Sequence, residues 1–314
     1  MVKVKGNFNI KGVFDMDKPL VSIVSICWNR KVDICESLRK IREIEYNNLE
    51  VILVDNLSTD GTVEEIEENF KEVKLIKMFK NIGIEAYNIG FKNANGKYII
   101  IIDDDSFPHR QAVRRMVEKF ERDEKLGIVA FDVRNFYNYD SVTMEEMVTE
   151  NKDTKAEAKD YLMAFNGAGA GVRRDLLEQI GFYPEEFFLY WNEQDTAFRI
   201  LDVGYKIEFF SDVVSYHKYS PKNRASWRAP LYYTRNAFWL IWKNYSLGAA
   251  IKLTFKMIKD CFYYSMEQKT FVYLKAMFWA FKDSKNLKGK RKPVDKYIEE
   301  NLRIPFNVSF TFFK

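Results

Sequence analysis

Between Tyr98 and Pro108 the chain reads Tyr-Ile-Ile-Ile-Ile-Asp-Asp-Asp-Ser-Phe-Pro, an uncharged β-type run that stops at three adjacent carboxylates. A strand without a polar face is buried on both sides, which points to a parallel sheet covered by helices. Its acidic end must then emerge at the sheet's edge, where solvent or a cation offsets the repulsion among the carboxylates. Hard oxygen donors such as Asp103, Asp104 and Asp105 suit Mg²⁺ or Mn²⁺, ions that keep positions open for substrate phosphates. A second reading stays open on these residues alone: Asp is common at helix N-caps, and Pro108 fits a first helical turn.

The segments before this strand alternate in period. Val21 to Cys27 is a short β-branched run, followed by Trp28-Asn29-Arg30 and a helical pattern through Ile34, Leu38 and Ile41. Val51 to Val54 is a second strand, closed by Asp55-Asn56-Leu57-Ser58-Thr59-Asp60-Gly61-Thr62, which is dense in turn and N-cap residues. An acidic helix over 63–70, a third strand over 73–78, the turn Asn81-Ile82-Gly83 and a further helix lead to the acid-ended strand. This alternation predicts an α/β fold with a mostly parallel sheet flanked by helices. Ligands of such sheets bind outside the carboxyl ends of the strands. Asn29, Arg30, Asp55, Asn56, Asn81 and the three aspartates all fall at those ends, so one crevice can collect them.

The later half adds a glycine-rich loop, Phe165-Asn166-Gly167-Ala168-Gly169-Ala170-Gly171, entering a helix. Glycines let backbone approach a ligand closely. A dinucleotide fingerprint is incomplete here, because Val172 stands at the third glycine place and the loop lies mid-chain, which argues against a nicotinamide cofactor. The aromatic segment Phe187 to Trp191 then delivers Glu193 and Asp195 into a helix. An apolar wall such as Trp191 raises carboxylate basicity and suits a general base. The same two acids also read as helix N-terminal residues satisfying backbone donors, with Asp195 four residues before Arg199. His217, one of two histidines, follows an expected pair of strands, Tyr205 to Phe210 and Val213-Val214.

Taken in order, four motifs resemble inverting family 2 glycosyltransferases of the GT-A fold, the group that includes rhamnosyl- and galactofuranosyltransferases. They are Val21 to Arg30; Val54-Asp55-Asn56 with Ser58 and Asp60-Gly61-Thr62; Asn81-Ile82-Gly83 with Ala86, Asn88 and Gly90; and Asp103 to Asp105. Tyr232-Tyr233 with Arg235-Asn236 extends the likeness toward Trp242. Trp28 departs from the usual Tyr, and Ile84-Glu85 replace the small residues that commonly follow the Asn-x-Gly motif. The resemblance implies that Asp55 holds the base or ribose of a nucleotide, that the triplet holds metal and diphosphate, and that Asn166 and Gly167 lie beside the donor sugar. It assigns Glu193 as base with Asp195 orienting it, and His217 beside Asp103 and Asp105 at the metal. Arg30 is expected at the phosphates, with Asn29, Asn56, Asn81, Gly83 and Asp104 around the donor.

The implied reaction is metal-dependent transfer of a hexosyl or deoxyhexosyl group from a UDP- or dTDP-linked donor to a glycan or lipid-linked acceptor, in cell-surface polysaccharide synthesis. A sugar nucleotidyltransferase is the alternative, but its early glycine-rich triphosphate loop is missing near Trp28; a non-catalytic nucleotide- or glycan-binding subunit is the other. The chain divides into an N-terminal extension (1–18), a catalytic region (19–225) and a helical, aromatic and basic region (226–314). The polar stretch from Met144 to Asp160 reads as a mobile insertion over the site. Cys27, Cys35 and Cys261 form no paired framework, and the first residues lack an apolar core of signal-peptide length, so a cytoplasmic protein is expected.

In the last region Ile251, Phe255, Ile258 and Phe262 share a helical face beside Lys252, Lys256 and Lys259. Phe271, Leu274, Phe278 and Phe281 do the same beside Lys275 and Lys282. No run reaches the roughly twenty apolar residues that span a bilayer. These helices are expected at the cytoplasmic face of a membrane, or packed on the catalytic region or on another subunit in a homo-oligomer. Lys285 to Lys292 lacks any accompanying nucleic-acid-binding motif, and no nucleic acid is expected.

Overall fold

The computed structural model describes residues 18–136, 165–219 and 227–301. The stretch from Met144 to Asp160 lies outside the described residues, as do residues 1–17 of the N-terminal extension. Eight strands form one sheet: β1 (Val21–Cys27), β2 (Leu49–Asp55), β3 (Lys74–Lys77), β4 (Tyr98–Ile102), β5 (Ser106–Pro108), β6 (Leu126–Asn135), β7 (Ala170–Arg173) and β8 (Lys206–His217). Their spatial order is β3-β2-β1-β4-β7-β6-β8-β5. The first four strands in chain order run parallel, as the alternating periods predict. The later half mixes directions: β7 is antiparallel to β4 and β6, β8 is parallel to β6, and β5 is antiparallel to β8.

β4 is buried throughout, and its side chains alternate between two cores. Ile99 and Ile101 join Val24, Ile52 and the helices on one face, while Tyr98, Ile100 and Ile102 join Ile23, Leu53 and Phe120 on the other. Full burial of each isoleucine contributes about 1.5–3 kcal/mol, so this strand is fixed in place and its acidic end with it. Helices α1 (Lys31–Ile41), α2 (Thr62–Asn69), α3 (Ala86–Asn93), α4 (Ala112–Arg122), α5 (Arg174–Ile180) and α6 (Asn192–Asp202) flank the sheet. Helices α7 (Arg228–Asn244), α8 (Leu247–Glu267) and α9 (Val272–Lys282) follow, and Phe238, Leu240 and Tyr273 belong to the same core as Val24 and Ile52.

Two local expectations are corrected. The residues after the aspartates form strand β5 and not a first helical turn; α4 starts only at Ala112. The expected pair of strands before His217 is one strand, interrupted by a register shift in which Phe131 and Asp132 face Phe210 and Val214. That bulge turns the strand so that its last residues reach β5.

Candidate active site

The register of β5 on β8 brings the acids and the histidine together. Ser106 lies opposite His217, and the Lys218 N–H donates to the Asp105 carbonyl at 3.0 Å. His217 Nε2 stands 3.0 Å from Asp105 Oδ1 and 3.8 Å from Asp103 Oδ2. One donor atom from each of Asp103, Asp105 and His217 falls within a 4.8 Å cluster. The His217 ring is oriented by Tyr219, whose centroid is 3.9 Å away.

Beneath this cluster Arg30 is buried and engaged with three acids. Its Nη2 donates to Asp105 Oδ2 at 2.7 Å and its Nε to Asp33 Oδ2 at 3.2 Å, with Asp104 Oδ1 at 3.3 Å. Lys218, also buried, pairs with Asp33 at 3.4 Å and with Glu36. Arg30, expected at the phosphates, therefore braces the carboxylates from below. Asp33, Glu36 and Lys218 were not singled out from sequence. Their one signal was placement, since Asp33 and Glu36 occupy the first turns of the helix that Arg30 opens and Lys218 follows His217 directly.

Five carboxylates thus face two permanent cations, which leaves excess negative charge in a poorly solvated place. Burial pushes the Asp104 carboxyl up to about 8, against Arg30, with Asp105 and Asp103 adding to the rise. Two aspartate oxygens with an imidazole nitrogen are a donor set that fits a divalent cation of the Mn²⁺ type, and such an ion would neutralise the excess.

The loops at the carboxyl ends of β1, β2 and β3 hold one another. Asp55 ends β2 buried; its Oδ2 accepts from the Ser58 N–H at 2.9 Å, while Oδ1 has no donor among the described residues. Asn29, at φ 54°, accepts the Thr59 N–H at 2.6 Å and donates its own N–H to Ser58 Oγ at 2.9 Å. Asn56 donates to the Gly83 carbonyl and accepts from the Ile82 N–H, both at 3.0 Å, and Asn81 Oδ1 accepts the Gly83 N–H at 2.9 Å. These amides shape the loops at the strand ends. Gly83 is irreplaceable there on two counts: its φ is +66°, and a Cβ would lie 2.0 Å from the Phe188 carbonyl oxygen.

That contact links the nucleotide loops to the aromatic segment before α6. Glu193, in the first turn of α6, lies against the Asn166–Gly167 turn and near enough to Asp103 to feel its charge. A Cβ on Gly167 would come 2.6 Å from Glu193 Oε1, so bare backbone lies against this carboxyl. Burial pushes the Glu193 carboxyl up to about 7; a hydrogen bond from its own backbone opposes the rise, and the charge of Asp103 adds to it. Tyr87 and Tyr183 are buried nearby: burial raises both phenols, the charges of Asp103 and Glu193 add to the rise, and Tyr87 Oη donates to the Ile102 carbonyl at 2.8 Å. Asn166 is exposed, its Oδ1 accepting the Ala168 N–H at 2.9 Å.

Asp195 points the other way. Its carboxylate is fully buried, bound by Arg199 at 3.0 Å and by Lys243 at 3.0 Å and Asn244 at 2.9 Å from α7. Burial alone would raise this carboxyl, but Arg199, Lys243 and Asn244 outweigh it and hold it below the usual carboxylate range. Asp195 therefore anchors α6 to the helical region, and its closest partners are structural.

An α/β sheet of this topology carrying an acidic cluster at the end of β4 defines a GT-A type fold with a candidate metal and nucleotide site. The chain belongs to glycosyl transferase family 2, whose sequence profile matches residues 22–181. It is 26% identical over 267 residues to the probable glycosyltransferase YdaM of Bacillus subtilis, covering 78% of this chain and 61% of that protein. Among solved structures it is similar to the mannosyltransferase PcManGT from Pyrobaculum calidifontis in complex with GDP-Man and Mn²⁺, at TM-score 0.56 and 26% identity, covering 71% of this chain and 63% of the other. S. aureus TarS 1-349 in complex with UDP-GlcNAc shares the fold at TM-score 0.52 and 16% identity, over 71% of this chain and 66% of that one. The chain thus spans less than two thirds of the length of YdaM and of PcManGT. The rhamnosyl- or galactofuranosyl-like subtype is not among these matches.

Proposed function

We propose that this chain is an inverting glycosyltransferase that moves a sugar from a nucleotide diphosphate, UDP- or dTDP-linked, to a hydroxyl of a glycan or lipid-linked acceptor. The observation that carries the reading is the position of Glu193, a carboxyl of raised basicity that lies against the Gly167 turn and feels the charge of Asp103, itself clustered with Asp105 and His217. Asp55 Oδ1, an acceptor lacking a donor among the described residues, takes the ring N–H of the base. Exposed Asn166 and the half-buried backbone of Gly167 lie along the sugar. Glu193 accepts the proton of the acceptor hydroxyl while that oxygen bonds to the anomeric carbon, and the bond from that carbon to the diphosphate oxygen breaks on the opposite face. Configuration inverts in one displacement, and no protein nucleophile is required. Asp103, Asp105 and His217 would hold Mn²⁺ or Mg²⁺, which when bound supplies Lewis-acid stabilisation of the departing diphosphate.

Thermal denaturation with UDP, dTDP and GDP, each with and without Mn²⁺, tests the donor half. A ligand at a hundred times its Kd stabilises the native state by about 2.7 kcal/mol. A Mn²⁺-dependent shift with a pyrimidine diphosphate is the expected result. A shift with GDP alone refutes the base assignment, and no shift with any of the three refutes the donor site.

A further inference from the structure

The described residues contain no helix long and apolar enough to cross a membrane. Yet α8 is built with two apolar faces. One consists of Ala250, Thr254, Met257, Cys261 and Ser265, which are buried against the rest of the protein. The other consists of Leu247, Ile251, Phe255, Phe262 and Met266, spaced by four, four, seven and four residues, which makes one continuous stripe along the helix. This second stripe faces solvent: Phe255 is 64% exposed, Phe262 51% and Met266 77%. The neighbouring stripe is Lys252, Lys256 and Lys259, all exposed. Helix α9 repeats the pattern with Phe271 just before it and Phe278 within it, 83% and 61% exposed, beside exposed Lys275 and Lys282.

Exposed aromatics in such number are uncommon on a surface that meets only water, and they mark a contact face. Charge identifies what it contacts. Between Leu247 and Lys292 eleven Lys or Arg stand against three acids. A second copy of the chain docked stripe to stripe would set lysine rows against lysine rows. An anionic bilayer satisfies both features at once, because the aromatic stripe enters the acyl boundary while the flanking ammonium groups remain among the lipid phosphates.

We propose that the α8–α9 hairpin is an in-plane membrane anchor that docks the protein on anionic phospholipid. The anchor stands apart from the chemistry proposed at Glu193, and its test reads no sugar transfer. The full chain is sedimented with vesicles of phosphatidylcholine alone and of phosphatidylcholine mixed with phosphatidylglycerol. Pelleting with the mixed vesicles and not with phosphatidylcholine alone is expected. The double variant Phe255→Ser, Phe262→Ser and the triple variant Lys252→Glu, Lys256→Glu, Lys259→Glu should each lower partitioning by about tenfold or more. All five side chains are exposed, and a circular dichroism spectrum and urea midpoint unchanged from wild type confirm that each variant is folded. Equal binding to neutral vesicles, wild-type partitioning of either variant, or a dimer in sedimentation equilibrium that the Phe variant dissolves would overturn the anchor.

Discussion

Replacing Glu193 by Gln removes one ionisable group while keeping the shape of the side chain, so it separates the cost of holding that carboxyl from its use. In the folded protein the group titrates near 7, against 4.5 for an ordinary glutamate. At about 1.36 kcal/mol per pH unit, the difference amounts to roughly 3 kcal/mol. The sign follows from proton counting. Below about pH 4.5 both states carry the proton and nothing is gained or lost; between there and pH 7 the unfolded chain has released a proton that the folded chain retains, so stability falls as pH rises. Above pH 7 the folded chain holds a carboxylate in a place that resists it. Glu193→Gln should therefore match wild type near pH 4 and exceed it by up to roughly 3 kcal/mol near pH 8, in urea denaturation with EDTA present.

Activity should move the opposite way. A positioned base contributes about 10²–10⁴-fold, so the Gln variant should lose that factor in kcat with Mn²⁺ and donor at saturation. In wild type the acid limb of kcat/KM should fall as pH drops through the titration of Glu193, at about 7 or below it because a cation beside Asp103 draws the carboxyl down; the variant should show no such limb. Equal stability of the two proteins near pH 8, or transfer within a factor of about ten of wild type, would refute the assignment.

Three further perturbations probe the surroundings of the site. Gly83→Ala should cost about 2–4 kcal/mol in denaturant unfolding and lower kcat/KM, because the added Cβ meets the Phe188 carbonyl, strains a positive φ and breaks the 3.0 Å bond from the Ile84 N–H. His217→Ala should weaken Mn²⁺ binding by roughly tenfold or more in calorimetric titration. Lys243→Met should cost about 1–3 kcal/mol, since it removes one of two cations from Glu186, 2.8 Å away, where Lys290 remains, and from Asp195, 3.0 Å away, where Arg199 remains. That loss should shrink at low pH, as protonation of the two acids removes the charge that Lys243 offsets.

The parallel part of the sheet was readable because period and strand chemistry act locally. Val21 to Cys27 and Tyr98 to Ile102 have no polar face to show to water, so only a covered sheet accommodates them. The triplet of aspartates was readable for the same reason, since its place follows from the strand that precedes it. What escaped was pairing at a distance. Nothing near Asp33 or Glu36 indicates that Lys218, more than 180 positions later, is their partner. The one-strand form of β8 likewise depends on a bulge that opposes Phe131 and Asp132, a register no local pattern encodes. Asp195 carried two readings in sequence, and burial chose the ion pair with Arg199 because a fully enclosed carboxylate must be matched by charge.

The segment from Tyr183 to Trp191 shows how the turn that leads to Glu193 is held. It is held from one side by the nucleotide half, where Asn88 bonds to both the N–H and the carbonyl of Tyr183 at 2.9 Å and the Ile84 N–H bonds to the Phe188 carbonyl. It is held from the other side by α7, where Asn236 donates to the Leu189 carbonyl at 2.6 Å and the Trp191 indole donates to the Tyr233 carbonyl at 2.8 Å. Between these supports Tyr190 and Trp191 both take φ 69°, a left-handed pair that turns the chain into α6, whose first turn sets Glu193 against Gly167. A bulky residue in that conformation costs on the order of 1–3 kcal/mol and persists only where its surroundings over-determine it. Asn88, Asn236 and Tyr233 are those surroundings. The helical region therefore does more than extend the fold: by supplying half of the supports of this turn, it fixes the direction in which Glu193 points.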